Sequence, residues 1–386
     1  MPNSERYIKK ISTFAEAGNY RTLHNVELNG FLVNSNGEEL LNLSSDDYLG
    51  LASNPNLIED FHKRLDIKSI PFSAASSRLI AGNHNQYALL EDDLAELYGR
   101  DSALVFNSGY HANIGILPAL TGKNDLIIVD KHVKASIVDG IKLAEVEVMR
   151  YNHLDYDHLR YILSRERERF ENVFIVTESL FGLSGDVVNL QQLCEIKREY
   201  DAFLYIDESY SFGVRGTNGL GICEEQCCID EVDFIVGNFG KALASTGAFL
   251  ISDSLYREYL INTQRTLIYT SALPPINVAW TRYVLNRMPE FYEMRIRLNQ
   301  VAEEFRAVLE EQGFETGGSS HIVPLICGDN VAAEEMCEMF RNNGYYVIPV
   351  RYPTVPKGRA MIRFAVNAAI PDEEYGCLFD FLRCIE

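Results

Sequence analysis

The chain has 386 residues, of which 47 % are hydrophobic, and a formal net charge of −20 at pH 7. Such a chain can bury one large core and a smaller one, which excludes a disordered protein. The charge excludes nucleic acid as a partner, because a polyanion is repelled, and no apolar run reaches the roughly 18–20 residues of a membrane span. The first residues, MPNSERYIKKISTF, lack the apolar stretch of an export signal, which predicts a cytoplasmic protein. They read as a helix over about 4–17. Six short apolar runs follow in the middle of the chain: SALVFN, DLIIVD, VFIVTE, AFLYID, DFIVGN and GAFLIS. Several are apolar on both faces, as strands of a buried parallel sheet are. DYDHLRYILSRERERF and NLQQLCEIKREYD, between them, repeat apolar residues at helical spacing. This alternation predicts an α/β fold with a central, mostly parallel sheet covered by helices on both faces. The last hundred residues predict a smaller α+β domain, in which the helix EMRIRLNQVAEEFRAVLEEQG precedes strands HIVPLIC, GYYVIPVR and AMIRFAV and a final helix, DEEYGCLFDFLRCI. The expected division is an N-terminal segment, 1–45, packing with the small domain or a partner subunit, a large domain, 46–285, and a small C-terminal domain, 286–386. The eight cysteines are expected to be reduced thiols, and CEEQCC (223–228) has no histidine at ligand spacing, so no metal is expected.

In open parallel sheets, ligands bind beyond the carboxyl ends of the strands. Three residues stand there. AFLYID finishes with Asp207, SALVFN runs into Ser108-Gly109-Tyr110 and a helix, and DFIVGNFG leads to Lys241. Singly, these are a helix cap, a common turn and a solvated lysine. Together they describe one cofactor. The helix N-terminus after Ser108-Gly109 suits a phosphate. Asp207 suits a protonated pyridine nitrogen. Lys241 lies among glycine, alanine and serine in GNFGKALASTGAFL, with little to solvate an ammonium, and suits a Schiff base with an aldehyde. The three point to pyridoxal phosphate.

Collinear motifs extend this over nearly the whole chain: LSSDDYLGLAS (43–53), SSRLIAGNH (76–84), LVFNSGYHANIGILPAL (104–120), VTESLFGLSGD (176–186), DESYSFGVRGTNGLG (207–221), FGKALASTGA (239–248), YTSALPP (269–275) and VPKGRAMIRF (355–364). In these the chain resembles the α-oxoamine synthases, pyridoxal phosphate enzymes of fold type I. Its pattern lies nearest the biotin-pathway members that join L-alanine to a pimeloyl thioester. The resemblance implies that Lys241 holds the cofactor and that Asp207 pairs with its ring nitrogen. It implies that Ser108, Gly109 and Tyr110 bind near the phosphate, and that Thr270 or Ser271 reaches in from the other subunit of a homodimer with shared active sites. Arg363 matches the arginine that grips the amino-acid carboxylate, a task suited to a forked guanidinium. Arg21, in NYRTL, is expected to meet the acyl substrate. The implied reaction is a decarboxylative condensation of an amino acid with an acyl thioester.

Several positions depart from the family pattern. Asp46 stands where S-N-D-Y-L-G-L has asparagine, and an ionised Asp46 repels a substrate carboxylate. In DKHVKAS, Lys134 takes the place of the histidine of D-x-x-x-H-A-S, which covers the cofactor ring. A charged ammonium is unfavourable there, so Lys134 is expected to turn away, to be neutral, to leave for solvent, or to cede the role to His132. Tyr210 replaces a histidine and resembles the aminotransferase arrangement. Gly182 replaces a serine. Asn238 replaces a phosphate-binding Ser or Thr, and its amide can still donate. Two alternatives follow: an aminotransferase, and a non-catalytic partner of an active synthase, since ESYSFG also resembles a non-catalytic subunit in the family.

Overall fold

In the computed structural model, which describes residues 4–66 and 70–385, the chain divides into two units. One takes in the chain up to Ser53, Gly182–Asp186 and everything from Arg297. The other takes in Asn54–Phe181 and Val187–Ile296.

The first unit starts with the helix Glu5–Glu16, which buries none of its residues. A three-stranded antiparallel ribbon follows: β1 (Val26–Asn29), β2 (Leu32–Ser35) and β3 (Glu38–Asn42). The β2–β3 turn is Asn36-Gly37, with φ of 56° and 89°, the pair of left-handed residues that matches the twist of a hairpin.

In the second unit seven strands form one sheet: β4 (Ser102–Phe106), β5 (Leu126–Asp130), β6 (Glu147–Tyr151), β7 (Val173–Glu178), β8 (Phe203–Asp207), β9 (Phe234–Asn238) and β10 (Ala248–Ser252). Their spatial order is β4-β10-β9-β8-β7-β5-β6. Only β10 runs antiparallel, to both neighbours. β4, β5, β7 and β10 are buried at every position, as strands covered on both faces must be. The edge strand β6 is mostly exposed, and no continuous apolar run marks it in the sequence. The helices Gly109–Leu120 and Ala135–Leu143 cross where a Cβ on Gly140 would lie 2.3 Å from the Asn113 carbonyl. Only a glycine permits that approach, and it fixes the helix face that carries Asn113.

The C-terminal part of the first unit adds β11 (Ile322–Gly328), β12 (Tyr345–Tyr346), β13 (Pro349–Val350) and β14 (Ala360–Ala365). β11, β14 and β13 form an antiparallel sheet in that order, while β12 pairs in parallel with β3. The stretch GYYVIPVR, expected as one strand, is therefore two short strands in two sheets. Asp329 caps the helix Asn330–Asn342 by accepting from the Val331 and Ala332 N–H groups. Among the described residues, no helix is long and apolar enough to cross a membrane, and no group of three or more His, Cys, Asp or Glu is arranged to hold a metal.

Candidate active site

β8 ends on Asp207, whose side chain is fully buried. A buried carboxylate needs donors, and Asp207 has three. Its Oδ1 accepts from the Ser209 backbone N–H at 2.8 Å and from the Lys134 ammonium at 2.7 Å. Its Oδ2 accepts from the Asn113 amide at 2.7 Å. Asn113 is held in turn by Ser136 Oγ, to which it donates, and by the Tyr205 hydroxyl, which donates to its Oδ1. Burial pushes the Asp207 carboxyl up. The Lys134 charge and the hydrogen bonds from Ser209 and Asn113 outweigh it, so this group titrates below the usual carboxylate range.

Lys134 precedes the helix Ala135–Leu143 and turns toward two carboxylates. Its side chain is 20 % exposed, and its ammonium lies 2.7 Å from Asp207 Oδ1 and 3.2 Å from Glu178 Oε2. It has neither gone to solvent nor become neutral. Burial pushes its amine down, and the Asp207 and Glu178 carboxylates overcome that, raising it above the ordinary lysine range. Glu178 closes β7 and also accepts from the Lys134 backbone N–H at 2.7 Å. Burial pushes its carboxyl up to about 7 against the pull of Lys134. His132 stacks instead on His153, with ring centroids 4.2 Å apart, and Asp130 holds that His153 at 2.9 Å.

Lys241 lies in the turn after β9, half-buried. Its ammonium is 3.9 Å from the centroid of the Tyr210 ring, and the Lys134 ammonium is 5.0 Å from the same centroid. Tyr210 thus faces both cations within cation–π reach. At the end of β4, Ser108 caps the helix Gly109–Leu120 by accepting from the His111 N–H. A Cβ on Gly109 would come 3.2 Å from Asn238 Nδ2 and 3.7 Å from Ser209 Oγ. The bare glycine leaves a small cradle ringed by donors. Tyr110 points away, half exposed, and donates to Asp139 at 2.9 Å. Thr270 and Ser271 are tied to Asn107, which donates to Thr270 Oγ1 at 3.3 Å and to the Ser271 carbonyl at 2.6 Å.

The remaining candidates belong to the first unit. Arg363, on β14, donates from Nε to the Gly182 carbonyl at 2.6 Å and from Nη2 to Asp46 Oδ1 at 2.9 Å and to Tyr48 Oη at 3.0 Å. Tyr48 also donates to Asp46 at 2.9 Å. Arg21 donates to Thr354 at 3.1 Å and lines a cavity of about 210 Å³ with Asn19, Arg351 and Tyr352.

With this geometry in hand, the chain can be set beside known proteins. The family description "Aminotransferase class I and II" matches residues 38–382. The 8-amino-7-oxononanoate synthase of Chlorobaculum parvum is 43 % identical over 383 residues, 98 % of each chain. That of Haemophilus ducreyi is 43 % identical over 377 residues, 95 % of this chain and 97 % of its own. The chain belongs to the α-oxoamine synthases, within aminotransferase class I and II. A solved structure of serine palmitoyltransferase from S. paucimobilis, with bound pyridoxal phosphate and myriocin, superposes on the synthase with a TM-score of 0.90 at 26 % identity, covering 98 % of this chain and 96 % of that one. The synthase therefore has the fold-type-I architecture.

The residues of the synthase fit such a cofactor. The donor-ringed cradle at Gly109 suits a phosphate, the ionised Asp207 suits a protonated ring nitrogen, and Lys241 Nζ lies beside Tyr210. Three residues were not picked out in the sequence: Asn113, Glu178 and Ser209. An asparagine inside the apolar helix HANIGILPAL was the available signal for the first. The other two are recognisable only once Lys134 is placed.

Glu178 gives a pH prediction for the cofactor-free synthase. The folded chain keeps this proton up to about pH 7, whereas an unfolded one releases it near 4.5. The folded state thus binds more protons across that window, and stability falls as pH rises through it, by about 3 kcal/mol. Glu178→Gln is expected to lack this fall. Urea unfolding of both proteins at pH 5 and pH 7.5 reads it, and equal pH dependence in the two would count against it.

Proposed function

We propose that this synthase joins L-alanine to a pimeloyl thioester, releasing carbon dioxide and a thiol, as a homodimer. The carbon balance of the relatives' named product supports the substrates: seven carbons from the diacid and three from alanine, less one as carbon dioxide, give the nine of 8-amino-7-oxononanoate. The observation that carries the reading is a fully buried Asp207, its carboxyl held below the usual range against burial by Lys134 and its hydrogen bonds, with Lys241 standing 3.9 Å from the ring of Tyr210.

Pyridoxal phosphate, the cofactor, supplies when bound an aldehyde for amines and a ring that accepts electrons. Lys241 Nζ holds the cofactor and, once displaced by the substrate amine, takes the proton from the alanine Cα. Asp207 keeps the proton on the ring nitrogen. The N–H groups at Ser108, Gly109 and Tyr110, with the Asn238 amide, bind the phosphate. Tyr210 positions the ring, and Lys134 acts through Asp207. Arg363 orients the alanine carboxylate, and Arg21 meets the far end of the acyl chain. Thr270 or Ser271 completes the phosphate site of a second copy. The exposed apolar residues Tyr7, Ile8, Ile11 and Phe14, on one face of the helix Glu5–Glu16, support a second copy as the cover for that helix.

The test is direct. The purified chain, loaded with pyridoxal phosphate, is given L-alanine and pimeloyl thioester, then serine or glycine with other acyl thioesters. Thiol release with a nine-carbon amino-keto acid in the mass spectrum supports the proposal. Release only with serine and a long acyl chain refutes the substrates, and amine-form cofactor without thiol release refutes the condensation.

Asp46 is expected to tune the amino acid. It occupies Arg363 Nη2 at 2.9 Å and repels an incoming carboxylate, so Asp46→Asn should lower KM for alanine about tenfold with little change in kcat. Steady-state kinetics over alanine concentration reads this. An unchanged or raised KM would remove Asp46 from the substrate site.

A further inference from the structure

Asp207 spends both its oxygens on donors of its own chain. Oδ1 takes Ser209 N–H and Lys134 Nζ, and Oδ2 takes Asn113 Nδ2. Three of the roughly four acceptor positions of this carboxylate are filled, so a ring nitrogen carrying a proton that approaches Oδ1 has to take the place of one of its two donors. The Ser209 bond is backbone. Asn113 is fixed by Tyr205 and Ser136 and by the close crossing at Gly140. Lys134 alone is on a flexible stem, and it alone has a second carboxylate within reach. Glu178 Oε2 lies 3.2 Å from the same ammonium yet takes no hydrogen bond, although it is buried. A buried carboxylate oxygen without a hydrogen bond is costly, and the Lys134 ammonium, already paired with it at 3.2 Å, can turn toward it.

We propose that Lys134 is a positioning residue that closes Asp207 in the cofactor-free synthase and passes to Glu178 when the pyridine nitrogen takes Asp207. The inference rests on the reading of Asp207 given above. Before loading, at a pH above about 7 where Glu178 has released its proton, one ammonium is shared by two carboxylates. After loading, each carboxylate has its own cation, so the corner remains balanced without exposing a buried charge. Lys134 thereby competes with the cofactor for Asp207, and Glu178 sets how strongly.

Four cofactor-stripped proteins test this by equilibrium titration with pyridoxal phosphate: the native chain, Lys134→Met, Glu178→Gln and the double variant. Removing the competitor is expected to tighten the Kd about tenfold in Lys134→Met, and removing its refuge to weaken it about tenfold in Glu178→Gln. In the double variant the Glu178 change should have no effect, leaving the Lys134→Met affinity. A residue that merely supports the fold would weaken binding when removed and would not reverse the sign. Lys134→Gln replaces Lys134→Met if the latter does not fold, and Glu178→Gln tests the exchange with the lysine intact. Weaker or unchanged binding by the Lys134 variants, or the same Glu178 effect in both backgrounds, overturns the exchange. Absence of binding by the native chain overturns the assignment of the site itself.

Discussion

Lys241→Ala is expected to lower turnover at least about a thousandfold, the scale of a lost general base, in a chain that still folds and still takes up pyridoxal phosphate. The reading gives this one amine two tasks, covalent attachment and movement of the Cα proton, and no neighbour can take over either. Lys134 is held by Asp207 at 2.7 Å and Glu178 at 3.2 Å, and under the exchange proposed above it stays with Glu178 in the loaded protein. The fold does not depend on the lysine side chain. The turn around it is set by backbone bonds, from Ala244 N to the Lys241 carbonyl at 2.8 Å and from Phe239 N to the Gly247 carbonyl at 3.0 Å. Cofactor uptake survives because the Gly109 cradle and Asp207 are untouched, so the loss falls on kcat. Borohydride reduction of the loaded protein supplies the second measurement. It should add the cofactor's mass at Lys241 in the native chain and nowhere in the variant. An adduct on another lysine, or a variant that still turns over, would show that a different amine carries the chemistry.

What the sequence disclosed and what it hid have physical causes. The six central strands were legible because burial on both faces leaves an unbroken apolar run. β6 was not, because an edge strand with EVMRY in mostly exposed positions carries no such run. The N-terminal ribbon escaped because β1 is exposed throughout, although Asn36-Gly37 marked its turn. GYYVIPVR misled because the chain changes sheets between Tyr346 and Pro349, with β12 on β3 and β13 on β14, and a continuous apolar run does not mark the change. At the candidate site, Lys241 and Asp207 stand out in the sequence only as residues at or just after strand ends. Lys134 was judged against a single expected neighbour, the cofactor ring. Its actual partners come from the ends of β7 and β8, 44 and 73 residues away, and no local pattern announces such a meeting. The sequence reading counted the positive charge and not the two carboxylates that hold it.

Those carboxylates make Asp207→Asn the most informative substitution after Lys241. Asparagine keeps the shape and discards the charge, so two losses should separate. The first is stability. Lys134 loses its nearer counter-charge in a buried position, and breaking such a pair costs about 3–5 kcal/mol. The sign with pH follows from the shifts. Asp207, held below the model-peptide value of 3.8, stabilises the fold above that pH and loses its contribution as pH falls through its folded value. Lys134, held above 10.5, contributes fully below that pH and loses it as pH rises through its folded value. The gap between native chain and variant in denaturant should therefore be full near neutrality and close in strong acid. The second loss is chemical. Without a carboxylate the ring nitrogen does not keep its proton, and kcat should fall a further hundredfold or about that, the scale of losing one charge-stabilising group. This loss should persist under conditions where the variant is fully folded and saturated with cofactor. If the folded, loaded variant turned over at the native rate, Asp207 would be no more than the anchor of Lys134. The stability gap would then be its whole contribution.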